Sequence, residues 1–170
     1  MEKPVRKALR LPCYDYSQAG AYFVTICTHD RCCVLSSIHE GRGDPCGRPL
    51  LELTAIGRVA EKAFQRVEQL YGISIDKYVI MPNHVHFICR IEDARATARV
   101  APTLGRIVGA YKSIVANESR KAGFMEKLWQ RNYHEHVIRN EHDFREIWTY
   151  LEGNPSKWIE DKYFAPYCPD

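Results

Sequence analysis

The segment ISIDKYVIMPNHVHFICRI, residues 73–91, constrains the fold more than any other part of the chain. Two runs rich in β-branched and aromatic residues, 73–81 and 84–90, are long enough for strands but too short for helices. Pro82 and Asn83 lie between them; both suit a turn and fit poorly inside a central strand. The spacing predicts an antiparallel hairpin. A half-buried hairpin needs further strands and a covering layer, so the rest of the chain must supply them.

The flanking segments do. Residues 21–28, AYFVTICT, read as a core strand, and residues 133–139 fit another. From Thr54, a suitable N-cap, Ile56, Val59, Ala60, Ala63, Val67 and Leu70 recur at helical spacing. Thr103 can cap a second helix whose face carries Leu104, Ile107, Val108, Tyr111 and Val115, and Asn140 a third with Phe144, Ile147, Trp148 and Leu151. Gly153 and Pro155 should end or kink that last helix. Residues 36–50, SSIHEGRGDPCGRPL, break every period and read as a surface loop or insertion. The order strand, helix, strand, strand, helix, strand, with a helix appended, is the ferredoxin-like (split βαβ) α+β arrangement: an antiparallel sheet with helices on one face and a C-terminal helix added.

At 170 residues the chain suits one domain spanning 1–170. Seven cysteines in an odd set, without a C-x-x-C pair, argue against a disulfide framework and for reduced thiols in a cytoplasmic protein. No apolar run has the length of a membrane span. Net charge is only +3, but residues 1–20 form a basic arm in which Arg6, Lys7 and Arg10 precede Tyr14 and Tyr16, a combination suited to nucleic acid and equally to a solvated tail.

Alternation along a strand sends His84 and His86 to one face and Val85 to the other, so the two imidazoles can share a divalent cation. Taken alone, such a pair is more often two half-buried strand histidines. On the last helix Tyr150 and Asn154 project within about 40° of each other at the rim of the apolar face, where a tyrosine can serve as nucleophile or simply pack its ring and wet its hydroxyl. Asn154 precedes Pro155, which disfavours helical geometry there. His134 and His136 form a second His-x-His; Glu135 and His136 could support the site or merely close a strand edge.

Four segments together, LRLPCYDYSQAGAYFVTICTHDR at 9–31, MPNHVHFI at 81–88, WQRNYHEHVIRN at 129–140 and IWTYLEGNPSKW at 147–158, resemble the REP-associated tyrosine transposases of the single-tyrosine HUH class, over nearly the whole chain. The resemblance implies that His84 and His86 ligate a divalent cation, Mg²⁺ or Mn²⁺, that Asn154 is a third ligand, and that Tyr150 is the catalytic nucleophile on the last helix. The implied reaction is cleavage and strand transfer of single-stranded DNA, as hairpins or palindromic REP elements, through a 5′-phosphotyrosine. Tyrosine suits this role because its phenol is both a nucleophile and a competent leaving group. The implied partner is single-stranded DNA, with no membrane, and the active unit is a monomer or a homodimer. Two other readings stay open: a metal-dependent hydrolytic nuclease that uses water, and a noncatalytic nucleic-acid-binding ferredoxin-like domain, although the aromatic strand signature of RNA-recognition domains is missing.

Overall fold

The computed structural model describes residues 14–39, 49–92 and 102–165; the basic residues Arg6, Lys7 and Arg10 lie outside them. Four strands build the main sheet: β1 (Gly20–Cys27), β4 (Ser74–Ile80), β5 (His84–Ile91) and β6 (His134–Ile138). They run in the spatial order β4-β5-β1-β6, every neighbouring pair antiparallel. Three helices complete the fold, α1 (Ala55–Tyr71), α2 (Leu104–Lys121) and α3 (Glu141–Gly153). The ferredoxin-like arrangement expected from the sequence is the one observed.

Each helix starts where its cap predicts. The Thr54 hydroxyl accepts from Gly57 N–H, Thr103 from Arg106 N–H, and the Asn140 side chain from Asp143 N–H, satisfying amides that have no partner in a first turn. Gly72, at φ +63°, ends α1 in the left-handed conformation that glycine adopts without strain.

The sheet separates two layers. On one face α1 and α2 bury Ala60, Phe64, Val67, Ile107 and Tyr111 against Val24, Ile26, Val85 and Phe87. On the other, α3 sets Leu151 against Ala21 and Ile88, with Phe144, Ile147 and Trp148 beside it. Lys77 anchors α3 to the sheet, its ammonium 2.9 Å from Glu152 and over the Trp148 ring. α3 leaves part of its face open, and the C-terminal segment crosses there.

Three local readings change. The stretch read as a loop contributes β2 (Ser36–His39) and β3 (Leu50–Leu53), which pair as a separate two-stranded sheet; four-residue strands flanking Gly- and Pro-rich sequence carry too little alternation to register. Asn154 keeps right-handed helical geometry despite Pro155, which sits at the start of a 3-10 helix spanning Pro155–Glu160, a place where its missing N–H costs nothing. Cys33 is disulfide-bonded, while Cys27, Cys32 and Cys89 are free thiols; the odd cysteine set had argued against any disulfide framework, and spacing alone does not reveal a pairing. Among the described residues, no helix is long and apolar enough to cross a membrane.

Gly57 is where α1 meets the chain most tightly, because a Cβ there would clash with the Leu35 carbonyl and touch the Leu53 side chain. That carbonyl also accepts from Thr54 N–H and cannot yield freely. Gly57→Ala should therefore destabilise the protein by about 1–3 kcal/mol in urea unfolding; an unchanged midpoint would show that the helix can shift.

Candidate active site

Two positions of β5 point their imidazoles to the α3 face, and both rings are almost fully enclosed, His84 at 0% and His86 at 1% exposure. Burial pushes the His84 pKa down to about 3, with the charges of Lys162 and Arg31 adding to it. Burial likewise holds His86 well below its ordinary value, helped by His84 and Lys162. Both are neutral at physiological pH and keep one ring nitrogen with a free lone pair.

Which nitrogen that is follows from the surroundings. The Asn83 amide nitrogen donates to the carbonyls of Arg31 (3.2 Å) and Tyr163 (2.8 Å). Its oxygen can therefore only accept, and it does so from His84 Nδ1–H at 2.9 Å. His84 Nε2 is left unprotonated, buried and without a hydrogen-bond partner. It faces Asp161 Oδ2 at 4.0 Å, from a side chain only 4% exposed. A neutral ring presenting a lone pair to a carboxylate is no ion pair; the two acceptors have nothing between them to share. His86 is held likewise through Nδ1, 2.7 Å from the Thr25 hydroxyl, itself turned toward the Tyr163 phenol. Its Nε2 lies 3.3 Å from the Tyr150 hydroxyl.

Donor atoms of His84, His86 and Asp161 lie within 4.8 Å of one another. Asn154 borders the same cavity, about 780 Å³ in volume, together with His86, Tyr150 and Asp161. It is 2% exposed, and neither of its amide atoms makes a hydrogen bond, although it lies near enough to the Tyr150 phenol to favour its ionised form. The orphaned His84 nitrogen and Asn154 amide, together with the nearby His86 nitrogen and Asp161 carboxylate, fit a divalent cation, which would satisfy them together. Inner-ring contacts to Asn83 and Thr25 are the outer support such ligands need.

Tyr150 reaches the site from α3. Leu151 fixes the buried side of that helix, and the preceding residue, about 100° around the axis, stands at its rim with its ring edge-on to Phe23. Burial and the Asp161 charge raise the Tyr150 pKa, so ionising the phenol calls for a nearby positive charge.

The other sequence candidates lie apart from the ligand atoms. His136 is bonded to Asp143 in the first turn of α3 at 2.9 Å. Glu135 pairs with Val24 across β1 and β6 and so faces the α1–α2 side of the sheet, both carboxylate oxygens buried without a hydrogen-bond partner. Asp161 and Tyr163 had no sequence signal beyond standing just after the Asn-Pro break. Tyr163 is nonetheless 6% exposed and sets its ring 4.8 Å from that of His84.

A ferredoxin-like sheet thus brings an imidazole, a carboxylate, an amide and a phenol to one cavity, with a second neutral imidazole directly behind it. Residues 48–154 match the model of the IS200-like transposases, and the chain belongs to that family. An uncharacterised protein of Haemophilus influenzae is 30% identical over 94% of this chain and 93% of its own length. Among solved structures, the REP-associated tyrosine transposase bound to a REP hairpin superposes with a TM-score of 0.59 at 20% identity, covering 92% of this chain and 74% of that one. A Deinococcus radiodurans protein with a provisional transposase designation gives 0.51 at 17% identity, covering 85% and 95%. These two likenesses carry the fold.

Thr25→Val keeps the shape of the side chain but leaves His86 Nδ1–H buried and unpaired. It should cost about 1–3 kcal/mol of stability and weaken Mn²⁺ binding roughly 10- to 100-fold, read by calorimetric titration. Unaltered Mn²⁺ affinity would remove Thr25 from the support of the site.

Proposed function

We propose that this transposase cleaves and rejoins single-stranded DNA, as hairpins or palindromic repeats, with Tyr150 as nucleophile and His84, His86 and Asn154, joined by Asp161, as ligands of Mg²⁺ or Mn²⁺. The observation that supports this best is the contact between the Tyr150 hydroxyl and His86, on a ring whose donor atom lies within 4.8 Å of an unsatisfied His84 nitrogen and a buried carboxylate. When bound, the cation would supply charge stabilisation to the nonbridging phosphate oxygens and to the phenolate. Two nitrogen and two oxygen donors suit manganese somewhat better than magnesium, whereas abundance favours magnesium.

The residues of the chain do the rest. The α3 rim holds the phenol oxygen at the cavity, and Phe23 limits the swing of its ring. The Tyr150 oxygen, its proton lost to solvent through the open cavity, attacks phosphorus; the P–O3′ bond breaks, and the departing oxygen takes up a proton to become a 3′-hydroxyl. The new bond is a 5′-phosphotyrosine ester, close in energy to the one broken. A 3′-hydroxyl can therefore reverse the attack and join strands without a nucleoside triphosphate. The solved complex of a REP-associated tyrosine transposase with a REP hairpin, taken with the family assignment, supports a hairpin as substrate.

Tyr150→Phe keeps the ring packing and removes the nucleophile. With Mn²⁺ and a pool of labelled single-stranded hairpin oligonucleotides, the unmodified protein should form a denaturation-resistant adduct, and the variant none. Cleavage that persists in the variant without any adduct would mean attack by water and a hydrolytic nuclease instead. Asp161→Asn and Asn154→Ala should each lower adduct yield at limiting Mn²⁺ and recover at higher concentration. Loss that no Mn²⁺ concentration restores would exclude a ligand role for the residue changed.

A further inference from the structure

A second cavity, about 440 Å³, opens beside β6 on the same sheet face as the histidine pair. We propose that it is a nucleotide subsite for the residue carrying the departing 3′ oxygen, its base against Phe23 and His134 and its phosphates met by Arg31 and Lys162; this rests on the covalent reading above. The volume lies within the roughly 300–1,000 Å³ of small-ligand cavities: room for a nucleotide and not for a duplex.

Register builds the wall that would take the base. Thr25 lies between His86 on β5 and His134 on β6, and Phe23 lies opposite His136. Phenyl and imidazole rings thus continue the row of the histidine pair out to the edge strand. His134 is exposed, and among the described residues no hydrogen bond or ion pair holds its ring. Flat rings of this kind stack on any base.

Charge supplies the other half. Arg31 and Lys162 both border the cavity, and neither is ion-paired to a carboxylate among the described residues. Arg31 instead donates to the Lys162 carbonyl at 3.3 Å and lies over the Tyr163 ring. It is brought there by a turn in which Asp30 and Arg31 both hold positive φ, 49° and 58°. Two consecutive left-handed residues with side chains cost about 1–2 kcal/mol each and persist where neighbouring contacts enforce them. Here the Asn83 amide holds the Arg31 carbonyl. Glu135 also borders the cavity, so two cations against one carboxylate stand at an aromatic-walled cavity, a combination that still selects a polyanionic strand with unstacked bases.

Direction follows from the displacement itself. Entering and leaving oxygens stand on opposite sides of phosphorus. Tyr150 lines only the larger cavity, while Phe23 and Lys162 border both. A strand crossing between them with its phosphate at Tyr150 sends the leaving oxygen, and its nucleotide, into the smaller one.

The test uses one cleavable hairpin oligonucleotide prepared with a single abasic site immediately 5′ or immediately 3′ of the cut phosphate, and the full chain with or without His134→Ala. The 5′ abasic site should weaken binding roughly tenfold, and His134→Ala should weaken the intact strand similarly while adding nothing to the abasic one. Additive losses, or none from the 5′ abasic site, would overturn the subsite. A measurement independent of cleavage titrates thymidylyl-thymidine into the Tyr150→Phe protein and follows the histidine imidazole resonances by NMR. His134 and His136 should shift; a response confined to His142, in the larger cavity, or none, would overturn the proposal. If His134 responds while the unmodified protein never forms an adduct, the covalent reading falls and the binding site stands.

Discussion

Asn83 holds together three segments that are remote along the chain. Its amide nitrogen bonds the carbonyl of Arg31, 52 residues earlier, and that of Tyr163, 80 residues later, and its oxygen orients the ring next to it. Its own carbonyl accepts from the backbone and hydroxyl of Thr28. One side chain in a hairpin turn thereby sets the tautomer of His84, locks the left-handed turn at residues 30–31 and seats the C-terminal segment over the sheet. Those three features are mechanically one unit: a shift of the C-terminal segment removes an acceptor from Asn83 and loosens the imidazole that the segment covers.

The histidine pair imposes a cost that the rest of the fold must cover. Two polar rings with an unsatisfied nitrogen occupy sheet positions where apolar residues would pack without penalty. The opposite face carries no such pair of imidazoles; there α1 and α2 close a largely apolar core. Segregating core and chemistry to the two faces of a four-stranded sheet lets the site remain under-satisfied while the domain stays folded, a division that two-faced sheets make available.

Much of this was legible. The hairpin, the three N-caps and the sheet order follow from strand composition, turn residues and helical periodicity, because those signals are local. The facing of His84 and His86 followed from alternation alone, and the rim position of Tyr150 from its place beside Leu151. What escaped was set by long-range packing. Asp161 and Tyr163 follow a Pro-interrupted helix end and show no periodicity, yet they close over the site because Asn83 and Arg31 receive them. Ser36–His39 and Leu50–Leu53 are too short to show a period, and cysteine spacing alone carries no sign that Cys33 is bonded. Asn154 escaped in the opposite sense: as the residue that caps α3 and leads into the 3-10 helix at Pro155, it keeps right-handed helical angles despite the general bias of a residue before proline.

The phenol, both imidazoles and the carboxylate all come from the same polypeptide, with Tyr150 in direct contact with His86 of its own chain. Each copy therefore carries one nucleophile. In the covalent reading, one tyrosine can hold only one 5′ end at a time. Any exchange between two cut ends must be either sequential on one tyrosine or a meeting of two loaded molecules. Stoichiometry, more than affinity, then distinguishes nicking a strand from moving it.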